Sequence, residues 1–434
     1  VLLAGGAVVL RAGRHSGTTF TRLCAGLCGL LALVPLLRDA DWLIAMSLVA
    51  GAALTAAGVT GARSVGGFVL AALSGVLAGL RGLPWLARSL GVLTGAGRGA
   101  ALVRTVVWSA AGLLVAALLF GSADALFAEW AGSLLPDLRV ESVVLRVFIG
   151  VAVAGVTLAA TYLALDPPRV DRAGPAPRPV SRPFEWLAPV AVVDAVFAVF
   201  LVAQATVIFG GHDYLRRTTG LTYAEYVHEG FGQLTVATAL TLLVVWVAAR
   251  KAPRETPADR LRLRGALGLL CAQTLVVVAS ALHRMHVYQE AYGFTELRLV
   301  VDAFEGWLGL LVLAVMVAGI GLKATWLPRF ALLSGAALVV ALAAINPDAW
   351  IAQRNVDRYQ ETGHLDWAYL QRLSADAVPV LMTLPDDLRP CVLAGRVRAD
   401  DDWLEWNLGR WRADDDLLRT GVPRLETTFC PDPS

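Results

Sequence analysis

Long stretches without a charged residue recur along this chain of 434 residues. Roughly 20 apolar residues are needed for a helix to cross the hydrocarbon layer of a membrane, with about 17 as a lower limit. Most of the stretches are close to that length, so the pattern predicts a bundle of transmembrane helices. They run over 23–37, 42–62, 64–80, 105–123, 147–165, 186–211 (interrupted by Asp194), 230–249, 265–282, 306–322 and 330–347.

Basic residues orient these helices, because Arg and Lys are enriched in the cytoplasmic loops of membrane proteins. Three basic connections, with twelve Arg and Lys residues together, alternate with three poorer ones that have five. The basic connections are 166–185, 250–264 and 323–329. The poorer ones are 121–142, 210–229 and 284–298. The Pro-rich linker 166–185 is therefore predicted to be cytoplasmic, and the chain after residue 347 extracytoplasmic.

The stretch 64–80 decides how many crossings there are. If it does not span, the first third of the chain has eight basic residues inside and one outside. We therefore expect about 64–92 to be a helix in the cytoplasmic interface, with Trp85 among its apolar contacts and Arg81 near the phosphates. The total is then ten crossings. The first is expected to be incomplete, because residues 1–10 look like the end of a helix rather than a signal peptide.

These expectations divide the chain into four regions and predict an all-α fold. The regions are the N-terminal transmembrane helices (1–63), a cytoplasmic interfacial helix and basic loop (64–104), the main transmembrane bundle (105–345) and an extracytoplasmic helical tail (346–434).

Composition supports the membrane assignment and excludes other classes. Hydrophobic residues make up 57% and charged residues 17% of the chain, whereas an ordinary soluble domain has about 25% charged residues. A secreted enzyme and a fibrous protein are excluded. The net charge of +2 gives no field that would attract a polyanion, so we expect no nucleic-acid partner.

Charged residues return in the tail, together with signals for short helices. Asn346 and Pro347 predict the start of a helix, and Gly363 predicts its end through a left-handed cap. Asp366 and Ser374 are predicted to cap two further short helices.

The tail also contains two cysteines, Cys391 and Cys430. An extracytoplasmic compartment permits a disulfide between them, and closing a loop of about 40 residues would stabilise the tail by roughly 3–4 kcal/mol. The alternative is two unpaired thiols in a loose tail.

Polar and aromatic residues gather on the predicted outer side. The connection 283–298 leads into a span that contains Asp302 and Glu305, which are three residues apart and share one helix face. A charge within a membrane is normally paired or faces a wet cavity, so we predict that Arg146 or Arg298 neutralises one of these acids. The candidate cluster consists of Arg146, His283, Arg284, Tyr288, Glu290, Tyr292, Glu296, Arg298, Asp302 and Glu305.

Three interpretations of this cluster are possible. It is a set of helix-end ion pairs with an interfacial aromatic belt, an outward-facing ligand pocket, or a metal site. The last is the weakest, since His283 and His286 would need a third ligand from elsewhere. We predict no metal.

Two further groups of polar residues are candidates. Asp194 is an acid inside a span, expected to be hydrogen-bonded to Ser, Thr or Gln neighbours, with a role in a proton relay as the alternative. The second outer loop contributes His212, Asp213, Arg216, Arg217, Tyr223, Glu225 and His228.

Three sequence motifs carry a family resemblance. TTGLTYAEYVHEGFGQL (218–234), RMHVYQEAYGFTELRL (284–299) and NPDAWIAQRNVDRYQETGHLDWAYLQRLSADAVP (346–379) resemble an uncharacterised family of bacterial multi-spanning membrane proteins, known only as a domain of unknown function. The resemblance covers roughly residues 100–390. It implies a location in the bacterial cytoplasmic membrane and assigns no catalytic residue.

Function is the least determined feature. The first hypothesis is a non-enzymatic envelope protein with an outward-facing sensing, scaffolding or binding surface, whose partner is an envelope protein or a small amphiphilic ligand. The alternative is a transporter of a small or amphiphilic solute. The second alternative is a glycosyltransferase using a lipid-linked donor, for which Asp39 and Asp41 are the acidic candidates in a very short first outer loop. No phosphate loop, Rossmann pattern or nucleophile elbow occurs, so we expect no cofactor.

Overall fold

The computed structural model describes residues 2–75, 78, 105, 109, 140–172, 180, 182–219, 223–394 and 405–420. All regular structure in these residues is helical, which confirms the predicted all-α class. The helices are α1 (Leu2–Ala12), α2 (Thr19–Leu31), α3 (Val34–Leu37), α4 (Asp41–Thr60), α5 (Val65–Gly75), α6 (Val140–Leu165), α7 (Phe184–Thr219), α8 (Tyr223–Lys251), α9 (Pro257–Tyr292), α10 (Glu296–Gly321), α11 (Leu327–Ile345), α12 (Pro347–Thr362), α13 (Trp367–Leu370), α14 (Val378–Leu381), α15 (Arg389–Leu393) and α16 (Leu408–Thr420).

Seven helices of the described residues are long and apolar enough to cross a membrane. They lie within Thr19–Leu37, Asp41–Thr60, Phe184–Ala205, Gly232–Lys251, Pro257–Tyr292, Glu296–Gly321 and Leu327–Ile345. Large apolar side chains on them point away from the protein, such as Val196, Val199 and Val202 of α7, each more than 60% exposed. An outward-facing apolar stripe of this kind is stable in lipid and costly in water. The chain is thus a multi-pass membrane protein.

The predicted span count stays a prediction. Segment 105–123 lies outside the described residues apart from two isolated positions. The predicted interfacial segment, about 64–92, begins with α5, and its residues after Gly75 lie outside the described part of the chain apart from Ala78.

The described residues form two compact units. The first consists of 1–25, 55–62 and 67–172. In it α1 packs on α6, and the backbone N–H of Arg14 donates to the carbonyl of Ala164 at 3.2 Å. Ala71 of α5 is buried with Ala62 and Val170.

The second unit consists of 26–54, 63–66 and 173–434. Its membrane part is built around α9, which packs against α7, α8 and α10. A buried core of Trp186, Val245, Leu270 and Val312 joins these four helices. Capping fixes the start of α9: the hydroxyl of Thr256 accepts from the N–H of Asp259, whose carboxylate accepts from the N–H of Thr256.

The connections predicted to lie on the outer side are mainly helix ends, which corrects the prediction that 210–229 and 283–298 are loops. Helix α7 continues to Thr219 and α9 to Tyr292, and α10 starts only four residues later, at Glu296. The sequence after residue 283 contains good helix formers and no Gly or Pro until Gly293, so nothing ends the helix earlier.

The tail follows its predicted boundaries closely. Helix α12 spans Pro347–Thr362 and ends at Gly363 with φ +75°, and the carboxylate of Asp366 accepts from the N–H of Tyr369. Asn346 and Ser374 lie at the predicted N-cap positions, but neither side chain hydrogen-bonds to the first turn that follows it. Asn346 is also a left-handed junction, φ 59°, between α11 and α12. The tail has its own core, which includes Ile351, Leu370, Leu381, Leu384 and Val392.

Helix α12 holds the connection between α9 and α10. The side chain of Asn355 accepts from the N–H of Phe294 at 3.0 Å and donates to its carbonyl at 2.8 Å. Arg358 donates to the carbonyls of Glu290 and Ala291. Gly293 has φ +82° and ψ 172°, a region that is essentially restricted to glycine. A Cβ atom there would lie 2.6 Å from Oδ1 of Asn355.

We expect Gly293→Ala to destabilise this packing more than Gly363→Ala does. Both glycines have positive φ, but a Cβ at Gly363 meets no atom within 4 Å. The control should show only the backbone penalty of roughly 1–2 kcal/mol. Gly293→Ala adds the clash with Asn355. Thermal unfolding of the purified protein, followed by tryptophan fluorescence, measures both. Equal effects of the two substitutions would contradict the close contact between Gly293 and Asn355.

Candidate functional site

The predicted polar cluster separates into an exposed group and an enclosed group. His283, Glu290 and Tyr292 are exposed on α9, and Nε2 of His286 lies 3.2 Å from Oε1 of Glu290. The guanidinium of Arg298 lies 4.4 Å from the ring centroid of Tyr288. These are contacts of a helix end rather than a pocket lining.

Arg298 does not neutralise either acid of its helix. It donates to the carbonyl of Tyr292 at 3.2 Å and to the carbonyl of Gly293. Of the two arginines predicted to neutralise Asp302 or Glu305, Arg298 is therefore not the partner: the turn between α9 and α10 leaves free carbonyls beside the guanidinium, and it binds those. The other, Arg146, stays a prediction, because its side chain lies outside the described residues.

The enclosed group lies between α8, α9 and α10. Asp302 accepts a hydrogen bond from Nε2 of Gln289 at 2.7 Å. Glu305, with an exposed fraction of 0%, accepts from the hydroxyl of Thr238 at 3.1 Å. Arg284 is buried nearby on α9. Glu296, at the start of α10, is half-buried, and its N–H donates to the hydroxyl of Tyr369 at 2.7 Å.

Asp194 is buried on α7 but not held as expected. Nε2 of Gln273 donates to the main-chain carbonyl of Asp194 at 3.3 Å and not to its carboxylate. Oδ1 of the carboxylate has no hydrogen-bond partner in the described part of the chain.

Several candidates cannot be placed. The side chains of Arg146 and of the second-loop residues lie outside the described residues, as does Cys430. The second-loop residues are His212, Asp213, Arg216, Arg217, Tyr223, Glu225 and His228. Cys391 is fully buried in the tail core region. Within the ranges that the structure describes, no three His, Cys, Asp or Glu side chains are placed to hold a metal ion.

The densest polar network lies where the α3–α4 loop meets the tail. We name it the carboxylate latch: Asp39, Asp348 and Asp376 with Arg38, Asn407 and Arg410. The N–H of Asp39 donates to Oδ2 of Asp376 at 2.6 Å, and the N–H of Ala375 donates to Oδ2 of Asp39 at 3.1 Å. The other oxygen of Asp39 is 2.7 Å from Nη1 of Arg410.

The remaining members extend the latch over both sides of this junction. Asp348 accepts from Nε1 of Trp42 at 3.4 Å and from the N–H of Ser374 at 2.9 Å. Asn407, only 2% exposed, donates to the carbonyls of Pro35 and Arg38. Each carboxylate therefore has at least two donors, which offsets much of the cost of burying charged groups.

Burial has a clear electrostatic effect on the latch. It raises the pKa of Asp376 above its ordinary value. The Asp39 N–H and the Arg38 guanidinium, whose Nη1 is 3.9 Å from Oδ1 of Asp376, oppose this increase in the pKa, whereas the negative charges of Asp348 and Asp39 add to it. Burial likewise raises the pKa of the Tyr369 hydroxyl.

A cavity of about 300 Å³ lies beside the latch. Asp39, Ser374 and Arg410 form a polar side, and Leu373, Val378 and Leu417 form an apolar side. This volume is at the lower end of small-molecule sites. The arrangement can accommodate a small molecule with one polar end and one apolar end.

Sequence reasoning missed the latch, although single members were visible in it. Asp39 stood out only as an acid in a very short loop, and Asp348 only within the NPDAW motif. The two are more than 300 residues apart in sequence, and nothing local shows that they share a neighbour. The one available signal was the density of Asp residues at the ends of short tail helices.

A comparison with known protein families matches residues 25–384 to the family described as "Domain of unknown function (DUF4153)". The chain belongs to this DUF4153 family. The searches of curated proteins and of solved structures returned no match.

Only some members of the carboxylate latch lie within the residues matched to DUF4153. Asp39, Asp348 and Asp376 lie within the matched residues, whereas Asn407, Arg410 and both tail cysteines follow them. Helix α16 therefore lies beyond the matched residues, and its Arg410 contributes to the latch from there.

We expect the stability of this DUF4153 protein to depend on pH through Asp376. The raised pKa means that the folded state holds the Asp376 proton more tightly than the unfolded state does. This contribution to stability is fully present below pH 3.8, the ordinary value, and is lost as pH rises through the folded-state pKa. One unit of pKa difference corresponds to about 1.4 kcal/mol.

The measurement is the unfolding midpoint between pH 4 and pH 8 for the wild type and for Asp376→Asn. The variant should lose part of the increase in stability at acidic pH. Asp387→Asn, at an exposed position of the same region, should keep the wild-type profile. Matching profiles for all three proteins would refute the assignment.

Proposed function

We propose that this protein is a non-enzymatic binding protein of the bacterial cell envelope, which binds a small amphiphilic molecule on the extracytoplasmic face of the cytoplasmic membrane. The proposal rests mainly on the cavity beside the carboxylate latch. Its orientation rests on the distribution of basic residues, which assigns the α3–α4 loop, the α9–α10 connection and the tail to the outer side.

The contacts among these three segments support a single composite surface. The tail binds the α3–α4 loop through Asp348 and Asp376, and it binds the α9–α10 connection through Asn355 and Arg358. A surface built from three segments that hydrogen-bond to one another is preorganised. Preorganisation favours binding, because little conformational entropy remains to be lost.

The state of Asp39 argues against the glycosyltransferase hypothesis. An acid that acts as a base or a nucleophile must have an oxygen within reach of the substrate. One oxygen of Asp39 binds Arg410 and the other binds the N–H of Ala375. We assign Asp39 a structural role.

Leu417→Trp tests the binding proposal. Leu417 lines the cavity, whereas its neighbour Leu418 on α16 is 59% exposed. The protein is purified in lipid nanodiscs, and small molecules that remain bound are identified by native mass spectrometry. We expect a bound species in the wild type and in Leu418→Trp, and at least a tenfold loss of it in Leu417→Trp. A bound species that persists equally in both variants would place the site elsewhere.

The proposed outer position also allows the Cys391–Cys430 disulfide. The denatured protein is alkylated with and without reductant, and the modified peptides are identified by mass spectrometry. We expect Cys391 and Cys430 to react only after reduction. Cys24, Cys28 and Cys271, which form no disulfide, provide internal controls, because they react without reductant. Alkylation of Cys391 before reduction would disprove the bond.

Transport of a small or amphiphilic solute is a second candidate function. It is favoured by one observation: acids within the spans have buried oxygens without hydrogen-bond partners among the described residues, namely Asp194, Asp302 and Glu305. Polar groups of this kind are expensive in a membrane and are usually functional.

A further inference from the structure

Glu305 is the most deeply enclosed acid in the membrane part of the protein. It lies nine residues after the start of α10, which corresponds to about 14 Å along the helix axis. Its exposed fraction is 0%. The hydroxyl of Thr238 on α8 lies 3.1 Å from its Oε1, and Thr235 is a second hydroxyl group beside the carboxylate.

The hydrogen bonds around Glu305 do not satisfy a carboxylate anion. The Thr238 hydroxyl has one hydrogen atom but two acceptors, the carbonyl of Leu234 at 3.0 Å and Oε1 of Glu305 at 3.1 Å. Oε2 of Glu305 has no partner within the part of the chain that the structure describes. If the hydroxyl donates to Leu234, as Thr does within helices, its oxygen directs a lone pair at Glu305.

A second acid lies one turn away on the same helix face. One oxygen of Asp302 is held by Gln289, and the other is buried without a hydrogen-bond partner among the described residues. The ionisable groups that α9 contributes to this polar cluster include the buried Arg284 and the exposed His286, whose Nε2 lies 3.2 Å from Oε1 of Glu290. No described Arg or Lys forms an ion pair with Asp302 or Glu305, since Arg298 binds carbonyls.

Two acids and two hydroxyl groups form a set of oxygen ligands in which neither carboxylate has an ion pair with a described Arg or Lys. Buried charges in proteins are paired, neutralised by a proton or bound to a cation. Carboxylate and hydroxyl oxygens are the ligands that hard cations prefer. The one hydrogen of the Thr238 hydroxyl is shared between the carbonyl of Leu234 and Oε1 of Glu305, so it leaves negative charge on the carboxylate for a cation or a proton to neutralise.

We propose that Glu305, with Thr238 and the neighbouring Asp302, binds a single positive charge, a sodium ion or a proton, within the membrane between α8 and α10. The site is separate from the cavity beside the latch, and the inference does not depend on the binding function proposed there. Its ligands come from two helices that also contact α9, so occupancy stabilises the packing of α8 against α10.

The test measures stability as a function of sodium concentration and pH in the full-length protein. Unfolding midpoints are recorded in lipid nanodiscs with NaCl or with choline chloride at the same ionic strength, between pH 5 and pH 8.5. If sodium is the ligand, the wild-type midpoint rises with sodium at pH 8 and saturates. If a proton is the ligand, the midpoint rises on acidification and does not respond to sodium. Either response supports the proposal when it depends on Glu305.

Glu305→Gln tests whether the response depends on Glu305, because the amide has a similar shape and no charge. We expect it to lose the response seen in the wild type, and the exposed Glu361→Gln to keep it. Thr238→Val removes the hydroxyl with little change in shape and should weaken the sodium response about tenfold or shift the acid response. A wild type without either response overturns the proposal, as does a Glu305→Gln protein that responds like the wild type.

A chemical measurement covers the case in which Glu305→Gln does not fold. Dicyclohexylcarbodiimide reacts with protonated carboxyl groups in apolar surroundings, and peptide mass spectrometry locates the adduct. In the wild type we expect labelling at Glu305 that increases at acidic pH, or that sodium slows at least fivefold. Labelling that neither pH nor sodium changes, or no labelling of Glu305 at any pH, overturns the proposal.

Discussion

A carboxylate that is enclosed by protein needs hydrogen-bond donors or a positive charge beside it, and the arrangement of the tail depends on this requirement. Asp39 and Asp376 meet it reciprocally, each through a backbone N–H at or beside the other residue. Asp348 meets it with Trp42 and Ser374. The backbone donors are in place only when the α3–α4 loop and the tail are together. Separating them would leave buried acids unpaired, so the carboxylate latch fixes where the tail is attached.

The acids inside the membrane part, by contrast, are not fully supplied with hydrogen-bond partners. Glu305 has the hydroxyl groups of Thr238 and Thr235 beside it, and Asp302 has the amide of Gln289, but each carboxylate keeps one buried oxygen without a hydrogen-bond partner among the described residues. In lipid there is no water to supply the rest. The same physical rule that makes the latch a stable structural contact therefore makes Glu305 a candidate for binding a positive charge. Burial alone does not distinguish the two roles; the unpartnered carboxylate oxygen does.

The carboxylate latch and the Glu305 site differ in how much of each lies within the family match. Glu305, Thr238, Asp39, Asp348 and Asp376 all lie within residues 25–384, which correspond to the DUF4153 family. Arg410 and Asn407 of α16 follow that region, and Arg410 also lines the cavity. The shape and charge of the cavity thus depend partly on a helix beyond the matched segment.

The sequence by itself determined the all-α membrane class, because a stretch of about 20 apolar residues has few other stable states. It also determined the ends of α12 and the cap at Asp366, since capping depends on residues only a few positions apart. It could not predict that Arg298 would bind backbone carbonyls, because the turn that exposes them forms only after α9 extends to Tyr292. Only the tertiary structure brought Asp39 to Asp376 and Thr238 to Glu305. Such contacts join residues from distant parts of the chain, and no local pattern of residues records which distant donor a buried acid will meet.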